Sequence, residues 1–342
     1  MHHSHNMKPL NVAVVGATGA VGQEFVRLFE ERKWPVGELR LLASARSVGK
    51  RQCFAGRGIE VQETTASSFG GSDVAFFSAG ASRSREFAPA AVAAGAVVID
   101  NSSAFRMDPS VPLIVPEINV DAIKPSDRLI ANPNCTAIIL LMAVAPLRSL
   151  GKIERLVVST YQSASGAGAS AMQELIEQSK VVLAGGKAVP KEFPHPCAFN
   201  VFSHNTTIDD SGYNEEERKV VAESRKILND QDLRVNVTCV RVPVLRAHSE
   251  SVTIEFKDKA PSREDITRVL TSSPGVRVID DRESNTFPMP CDASGQDDVL
   301  VGRIRRDPSH PSAVSMFIAG DQLLKGAALN AVQIGERMFS VR

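Results

Sequence analysis

A glycine-rich loop near the start of the chain constrains the fold more than any other feature. Residues 11–15 (NVAVV) form a short apolar run that suits a buried parallel strand, and residues 16–22 (GATGAVG) follow directly. Residues 23–32 then show the apolar spacing of a helix. A strand, a glycine loop and a helix in this order indicate a dinucleotide-binding βα unit, whose helix N-terminus faces a pyrophosphate. The spacing is GxxGxxG rather than GxGxxG, and a purely structural turn is the alternative.

Further alternation along the chain predicts the rest of the fold. The pattern predicts strands at residues 38–43, 74–78, 96–100 and 128–131, with a helix at residues 84–94. The fold class is therefore α/β, a Rossmann-type doubly wound parallel sheet, with a second α+β domain. The 342 residues suggest two domains. Because residues 323–339 read as a helix that can return to the first domain, we predict one domain at residues 7–131 plus 322–342 and another at residues 132–321.

The loop after the second predicted strand indicates which dinucleotide binds. An NAD site usually carries Asp or Glu there, to hold the ribose 2′-hydroxyl. Residues 43–51 (ASARSVGKR) contain no acid but offer Arg46 and Ser47. Because a guanidinium binds phosphate through a planar fork of donors, the sequence favours NADP. A solvated basic loop is the alternative.

Composition excludes several classes of protein. Lys plus Arg equals Asp plus Glu at 39 each, which gives no reason to expect a nucleic-acid or membrane partner. Residues 1–6 resemble an added leader rather than a signal peptide or a metal site, and Met7 suits a natural start. The five cysteines are widely spaced and contain no CxxC pair, so we expect reduced thiols, a cytoplasmic location and no metal.

A cysteine follows a strong turn and N-cap pattern in the middle of the chain. Residues 132–134 are Asn-Pro-Asn, and Cys135 precedes an apolar stretch at residues 138–150 that reads as a helix. The first turn of a helix favours the thiolate form of a cysteine, because the macrodipole is positive there. Cys135 is therefore a candidate nucleophile, although a small buried residue would fit the same place.

Polar residues in the second half of the chain are candidates for the remaining chemistry. A glycine-rich segment follows the predicted strand at residues 153–160 and leads into a helix at residues 169–183. Glu216 and Lys219 share one face of a helix that runs to about residue 229, where a solvated charged face is the alternative. Arg241 lies within a predicted strand at residues 237–244, which is costly unless it meets an anion.

A histidine follows that strand. His248 lies at the junction before a strand at residues 252–256, and its ordinary pKa suits a general base. A lone histidine is more often structural, but an activated cysteine makes it a plausible catalytic partner. His195 lies between two prolines and reads as a rigid-loop residue without a catalytic role.

Together these motifs resemble the aspartate-semialdehyde dehydrogenase family over essentially the whole chain after Met7. The motifs that carry the resemblance are GATGAVG at residues 16–22, SSAFRMD at 102–108, NPNCTA at 132–137, TYQSASGAG at 160–168 and RVPVLRAHSE at 241–250. The resemblance implies that the second α+β domain is a catalytic/dimerisation domain, and that the protein is a homodimer or a dimer of dimers.

The resemblance also implies residue roles. Cys135 would be the nucleophile that forms an acyl-thioester, His248 the acid/base, and Gln162 the residue that orients the intermediate. Arg241 would bind the substrate carboxylate and Glu216 the amino group, although the neighbouring Glu215 and Glu217 keep the latter assignment open. The implied phosphate ligands are Arg106, Asn134 and Lys219. The implied NADP-binding residues are Gly16, Thr18, Gly19, Ala20, Val21, Gly22, Arg46, Ser47, Ser165, Gly166 and Gln322.

The implied reaction converts L-aspartyl 4-phosphate into L-aspartate 4-semialdehyde and phosphate with NADPH, for lysine, diaminopimelate, threonine and methionine biosynthesis. N-acetyl-γ-glutamyl-phosphate reductase shares the cysteine chemistry but has a different cysteine motif. Glyceraldehyde-3-phosphate dehydrogenase would be expected to show an acid after the second strand. A non-catalytic NADP sensor is the alternative from another class of protein.

Overall fold

The computed structural model describes residues 8–340. The leader at residues 1–6 and the expected start at Met7 lie outside the described residues. The chain divides into two compact units, of which the first comprises the residues up to Pro133 with those from Ala327 onward, and the second spans Asn134–Gly326. The sequence predicted boundaries after residues 131 and 321, whereas the two units divide after residues 133 and 326. No helix within residues 8–340 is long and apolar enough to cross a membrane.

Strands and helices alternate through the first unit, and the second unit is richer in antiparallel strands. The strands of residues 8–340 are β1 (Leu10–Val15), β2 (Val36–Ala43), β3 (Arg51–Phe54), β4 (Arg57–Glu63), β5 (Val74–Phe77), β6 (Val97–Asp100), β7 (Leu129–Ala131), β8 (Ile153–Gln162), β9 (Phe202–Ser203), β10 (Arg234–Arg241), β11 (His248–Phe256), β12 (Val276–Val278), β13 (Val299–Arg306) and β14 (Ala313–Gly320). The α-helices of the same residues are α1 (Ala20–Glu31), α2 (Ala81–Ala93), α3 (Pro116–Asn119), α4 (Cys135–Val144), α5 (Ala169–Leu183), α6 (Glu215–Leu228), α7 (Arg263–Thr271), α8 (Pro290–Ala293) and α9 (Leu329–Phe339).

The sheet of the first unit has the order β3-β4-β2-β1-β5-β6-β7. Every neighbouring pair is parallel except β3 with β4. Chain order reverses between β1 and β5, and in such sheets ligands bind outside the carboxyl ends of the strands at this switch point. The predicted fold class is confirmed, since a Rossmann-type parallel sheet is accompanied by a second unit with its own mixed sheet.

One hairpin in this sheet was not part of the sequence prediction. Strands β3 and β4 are joined through Ala55 and Gly56, whose φ angles are 49° and 73°. Two central residues with positive φ form the tight turn that matches the twist of a hairpin. The hairpin adds β4 beside β2, with Ala43 opposite Glu63. An acidic side chain therefore ends the strand next to the basic loop.

The sheet of the second unit has the order β12-β13-β14-β11-β8-β10-β9. Strands β8 and β10 are parallel, while β11 runs antiparallel to β8 and β14. In this register Arg241 lies directly opposite Gln162, and His248 lies opposite Gly320. Three predicted site residues thus end or begin neighbouring strands at one edge of the sheet.

Three elements after residue 131 differ from the sequence prediction in their bounds or in the type of helix. The helix predicted at residues 138–150 begins at Cys135 and ends at Val144, and a 3₁₀-helix follows at Ala145–Leu150 because Pro146 interrupts the α-helical ladder. The strand predicted at residues 237–244 is β10, so Arg241 ends the strand rather than lying inside it. The helix predicted over residues 323–339 is a π-helical turn at Leu324–Ala328 followed by α9.

A fourth boundary differs in the first unit. The helix predicted at residues 23–32 begins at Ala20 instead, so the last glycine of the loop, Gly22, lies inside its first turn. A Cβ at Gly22 would lie 2.3 Å from the carbonyl oxygen of Gly16. Close packing of the helix against the loop therefore explains why a glycine occupies a helical position.

Candidate active site

The first unit contains an open cleft at the carboxyl end of β1. The cleft has a volume of about 470 Å³. Its lining residues are Val15, Gly16, Thr18, Gly19, Ala43, Ser44, Ala45, Arg46, Glu63, Thr64, Ser78, Ala79, Arg83 and Phe87. Gly16 has a φ of 86°, and a Cβ there would lie 2.4 Å from the carbonyl oxygen of Ser78. Only glycine fits this turn, which leaves the cleft floor bare for the close approach of a ligand.

The predicted NADP-binding residues divide into two groups in this unit. Gly16, Thr18, Gly19 and Arg46 line the cleft. Ser47 is buried, and its hydroxyl lies 3.3 Å from that of Thr18. The predicted residues that instead form the first turn of α1 are Ala20, Val21 and Gly22.

Two charged residues of the cleft were missing from the sequence prediction. Arg83, from α2, adds a second guanidinium, and its Nη1 atom forms an exposed ion pair with Glu86 at 2.7 Å. Glu63 adds the carboxylate at the end of β4. The cleft therefore offers cations for a phosphate together with an acid, which the loop sequence alone did not contain.

Cys135 occupies the first position of α4 in the second unit. The side-chain oxygen of Asn134 accepts hydrogen bonds from the backbone N–H groups of Thr136 at 3.0 Å and Ala137 at 3.3 Å. This confirms the predicted N-cap, since a side-chain oxygen satisfies donors that the helix itself cannot. The rest of α4 is fully buried, whereas Cys135 is half-buried. Its thiol therefore stays accessible at the positive end of a rigid helix.

A buried carboxylate lies next to this helix start. Oε1 of Glu216 accepts hydrogen bonds from the side-chain amides of Asn134 at 2.9 Å and Gln162 at 3.2 Å. Burial pushes the pKa of Glu216 up, yet the His204 ring, the Asn134 amide and Lys219 together outweigh it, so the pKa lies below its usual value. The pocket thus holds an anion ready for a positively charged group.

The geometry distinguishes among the three consecutive acids at the start of α6. Glu215 is exposed and pairs with Nζ of Lys219 at 2.7 Å. Glu217 accepts hydrogen bonds from the backbone N–H groups of Asn214 and Cys239, so its carboxylate serves the fold. Glu216 alone of the three accepts hydrogen bonds from the predicted site residues Asn134 and Gln162, which supports the choice made from its three-residue offset to Lys219.

Arg241 is buried at the end of β10, with 2% of its surface exposed. Nη1 donates to the carbonyl oxygen of Ser163 at 2.5 Å, and Nη2 lies 3.0 Å from Nε2 of His204. Its guanidinium also stacks over the ring of Phe193, 5.4 Å from the centroid. Burial lowers the pKa of Arg241, while Glu216 and Cys135 act in the opposite direction, so these three groups lie within electrostatic reach of one another.

His204 is a site residue that the sequence analysis missed. Arginine has no acceptor, so Nε2 of His204 must accept from Arg241 and the ring proton lies on Nδ1, which is 3.3 Å from the hydroxyl of Thr206. Burial, opposed by Glu216 and reinforced by Arg241, lowers the pKa of His204 to about 4. It lies on an irregular segment before α6, where no periodicity could have marked it.

His248 begins β11 and is fully buried. Its Nδ1 accepts a hydrogen bond from the backbone N–H of Ser163 at 3.0 Å. Burial lowers its pKa well below the ordinary value, and the charges of Arg241 and His204 lower it further. His248 is therefore held as a neutral imidazole.

Three residues that were predicted to bind NADP lie inside the second unit. Ser165 and Gln322 are buried and hydrogen-bonded to each other, and Gly166 packs against the His248 ring. Gly326 in the π-helical turn comes equally close to Cys135, because a Cβ there would lie 2.9 Å from the cysteine Cβ. π-helical turns are frequent at functional sites.

Arg106 belongs to the first unit. Its Nε donates to the carbonyl oxygen of Asn132 at 2.9 Å, and Nη2 donates to that of Asn101 at 2.7 Å. It is 8% exposed. These two bonds hold the Arg106 guanidinium beside Asn101 and Asn132. Its role in phosphate binding stays a prediction.

The other cysteines have a different environment from Cys135. Cys53 and Cys291 are exposed, and Cys197 and Cys239 are buried, all without disulfides. Burial raises the pKa of the Cys197 and Cys239 thiols, which makes them poor nucleophiles. Among residues 8–340, no group of three or more His, Cys, Asp or Glu residues could hold a metal ion.

The second unit thus combines a helix-capped thiol with a buried cation, a buried anion and a neutral imidazole. A thiolate can attack a carbonyl carbon, while a guanidinium and a carboxylate can hold the two charged groups of an amino acid. An amide and an imidazole N–H can stabilise charge that develops on the carbonyl oxygen. The arrangement suits acyl transfer to a thiol on an amino-acid substrate.

Comparisons with known proteins agree with this chemistry. Residues 11–126 match the family model "Semialdehyde dehydrogenase, NAD binding domain", and residues 144–325 match "Semialdehyde dehydrogenase, dimerisation domain". The chain is 52% identical to an aspartate-semialdehyde dehydrogenase of Synechocystis sp. over 96% of its length and 97% of that protein. It is 44% identical to the enzyme of Bacillus subtilis over 96% and 97% of the two chains.

A solved structure extends the comparison to three dimensions. The structure of aspartate semialdehyde dehydrogenase II from Vibrio cholerae in complex with ASA superposes with a TM-score of 0.93. It is 43% identical and covers 98% of this chain and 99% of its own. With both halves of the chain matched, this protein belongs to the aspartate-semialdehyde dehydrogenase family.

Proposed function

We propose that this chain is an NADP-dependent aspartate-semialdehyde dehydrogenase that converts L-aspartyl 4-phosphate into L-aspartate 4-semialdehyde and phosphate. The observation that carries the proposal is the pocket of the second unit, where the Glu216 carboxylate is hydrogen-bonded to Asn134, the N-cap of the Cys135 helix, and Arg241 lies within electrostatic reach of both Glu216 and Cys135. Its cation suits an α-carboxylate and its anion an α-ammonium group. The product would serve lysine, diaminopimelate, threonine and methionine biosynthesis.

The residues of this chain supply the covalent chemistry. The Cys135 thiolate attacks the acyl-phosphate carbon, and phosphate leaves as an acyl-thioester forms. Gln162, tied to Glu216, orients the acyl group, and His248 acts as the acid/base at the reacting oxygen. NADPH, when bound, supplies the hydride that reduces the thioester. Arg106, Asn134 and Lys219 stay the proposed phosphate ligands.

The preference for NADP rests on the cleft of the first unit. Arg46 and Arg83 line it, and the bare backbone at Gly16 admits a pyrophosphate. Glu63 is the opposing feature, because a carboxylate disfavours a bound phosphate. We assign the first unit to NADP binding and the second to catalysis and dimerisation.

The dimer and the cytoplasmic location are also proposals. The second sheet has a half-exposed face on which the rings of Tyr161 and Phe317 lie 6.0 Å apart, and we propose that it pairs with a second copy in a homodimer or a dimer of dimers. Five cysteines without a disulfide suit a reducing compartment.

Turnover with L-aspartate semialdehyde, phosphate and NADP tests the activity directly, through NADPH formation. Cys135→Ala should lower kcat by at least about 10³-fold while NADP binding, measured by calorimetry, stays intact. Cys291→Ser is the matched control, since that thiol is exposed and outside the site. With NADP and no phosphate, intact-protein mass spectrometry should detect an acyl group on Cys135.

The same assay separates the alternatives. An N-acetyl-γ-glutamyl-phosphate reductase would use N-acetylated substrate, whose neutral amide gives the Glu216 carboxylate no charged partner. Preference for the acetylated semialdehyde would therefore contradict the proposal. A non-catalytic NADP sensor would bind NADP but show no turnover, and Cys135 would be dispensable.

A further inference from the structure

We propose that Ser163, Ser165 and Gln322 are positioning residues that hold His248 as a neutral imidazole with its proton on Nε2. In that form Nε2 carries the proton that His248, as the acid/base, offers to the reacting carbonyl oxygen. The inference rests on the proposed function for the reaction itself, but the state of the ring follows from the structure of the second unit.

The ring state follows from the two groups that meet Nδ1 of His248. The backbone N–H of Ser163 lies 3.0 Å from Nδ1, and the Ser163 hydroxyl lies 3.1 Å from it. A backbone N–H can only donate, so Nδ1 must present its lone pair. The proton of the neutral ring is then on Nε2.

A directed hydrogen-bond chain leads to the Ser163 hydroxyl. The backbone N–H of Ala247 donates to Oε1 of Gln322 at 2.9 Å, which fixes the orientation of that amide. Nε2 of Gln322 therefore donates to the hydroxyl of Ser165. The Ser165 hydroxyl is free to donate to that of Ser163 at 2.9 Å, and Ser163 in turn to Nδ1 of His248.

The ring also has little freedom to move. Ala247, which directly precedes His248, adopts a φ of 71°, which is uncommon for a residue with a Cβ. A Cβ at Gly166 would lie 3.0 Å from Cε1 and 3.1 Å from Nε2 of His248. The Gln322 contact therefore holds a strained backbone, and Gly166 leaves space for the ring alone.

The surroundings disfavour a second proton on the ring. Arg241 on β10 and His204 before α6 are the groups whose charges lower the pKa of His248, after burial itself. The neighbouring strands β8 and β14 present uncharged Gln162 and Gly320 at this level. Glu250, two residues along β11, is buried with a pKa raised well above its usual value, so it adds no anion.

This state defines what His248 does in the reaction. Nε2 is buried and has no hydrogen-bond partner among the described residues. When the Cys135 sulfur bonds to the acyl carbon, the π electron pair of the carbonyl moves to its oxygen. A hydrogen bond from Nε2 of His248 to that oxygen then strengthens. The pair returns as the bond to phosphate breaks, and the phosphate takes its proton from solvent.

Nitrogen NMR of histidine-labelled protein tests the ring state without relying on activity. The His248 signals, identified by their loss in a His248→Gln variant, should report bare Nδ1 and protonated Nε2 from pH 6 to 8. A proton on Nδ1, or an imidazolium at pH 7, would overturn the proposal. If this tautomer is found but the protein has no turnover with aspartate semialdehyde, the proposed function fails and the positioning stands.

Variants of the chain test its effect on catalysis. Ser163→Ala and Gln322→Leu should lower kcat by about three- to tenfold, and should move the acid limb of the kcat profile to higher pH. Ser163→Thr should restore both, because it keeps the hydroxyl. Ser249→Ala is the matched control, since that hydroxyl is also buried beside His248 but has no partner in the described part of the chain. Equal pH profiles for Ser163→Ala and Ser249→Ala would refute the proposed role of the hydrogen-bond chain that ends at His248.

Discussion

The cleft of the first unit and the thiol site of the second are built in different ways. The cleft is open, and its charged side chains, Arg46, Glu63 and Arg83, are exposed at its rim. In the thiol site, Arg241, Glu216 and His248 are nearly or fully buried, and each is held by other side chains or backbone groups. Charges in the first site are screened by water, whereas those in the second are not.

This difference predicts how each site responds to mutation. An exposed cation contributes little binding free energy, and less at high salt, because water and dissolved ions screen its charge. Burying a cation costs desolvation free energy that its partners offset. Removing one partner therefore leaves an uncompensated charge in the interior. The same substitution should therefore have unequal effects in the two sites.

Arg-to-Lys substitution should separate the sites most strongly. Arg241→Lys keeps the charge but loses the fork that meets Ser163 and His204, and should raise KM for the semialdehyde by roughly 10²–10³-fold. Arg46→Lys, the matched exposed change, should alter KM for NADP by less than about tenfold. Steady-state kinetics with each substrate varied in turn measures both. Similar effects at the two positions would remove the distinction between the sites.

Charge reversal in the cleft should change the choice of cofactor. Arg46→Asp should lower the preference for NADP over NAD by up to about two orders of magnitude, because a charge-assisted phosphate contact is lost. Glu63→Gln should shift the ratio of kcat/KM values a few-fold toward NADP, because a repelling carboxylate is removed. Both effects should shrink with added salt. Equal kinetics with NAD and NADP in the unmodified protein would contradict the proposed preference.

His204 allows a test through pH in the buried site. Its pKa is lowered to about 4, so Nε2 stays a bare acceptor for Arg241 at neutral pH. We expect KM for the semialdehyde to stay flat from pH 8 to about 5 and to rise below that, as the ring takes up a proton beside a cation. His204→Phe should raise KM about tenfold at every pH, whereas His204→Gln should preserve it through its amide oxygen. A rise centred on pH 6.5 would mean that the ring is exposed to water.

The sequence predicted the first site better than the second for a physical reason. The glycine loop and its strand and helix are contiguous, so local pattern suffices to predict Gly16 and the turn around it. The Cys135 N-cap was predictable for the same reason, because Asn134 is its direct neighbour. His204 could not be found, since only the fold brings an irregular segment against Arg241. Glu63 was missed because the hairpin that carries it was not predicted.

Roles within the second site show the same limit. Ser165 and Gln322 follow recognisable motifs, but sequence could not reveal that they are hydrogen-bonded to each other across 157 positions. The family resemblance suggested cofactor contacts for both. Those cofactor contacts stay a prediction, and the buried, directed bonds of the two residues support the proposed role in holding His248, which strand register and the turn at Ala247 make available.

The smallest expected effect concerns stability rather than turnover, and it compares one carboxylate from each site. Glu250 is fully buried, and both of its oxygens lack a hydrogen-bond partner among residues 8–340. Burial raises its pKa well above the usual value, so the folded chain keeps this proton to a higher pH than the unfolded chain does. The unfolded chain releases this proton above about pH 4.3, the ordinary value for glutamate. Folding therefore becomes less favourable as pH rises from there toward the folded-state pKa.

Glu250→Gln should remove this dependence, because the amide does not ionise. Relative to the unmodified protein, the variant should gain about 1.4 kcal/mol in free energy of unfolding for each pH unit between the ordinary glutamate pKa and the folded-state pKa of Glu250, the slope for one proton. Urea unfolding of the full chain at several pH values measures it. Glu63→Gln, at an exposed carboxylate of the cleft, should leave the slope unchanged. Parallel stability curves for the unmodified protein and Glu250→Gln would mean that the Glu250 carboxylate is solvated or ionised in the folded state, and burial would then not distinguish the two sites.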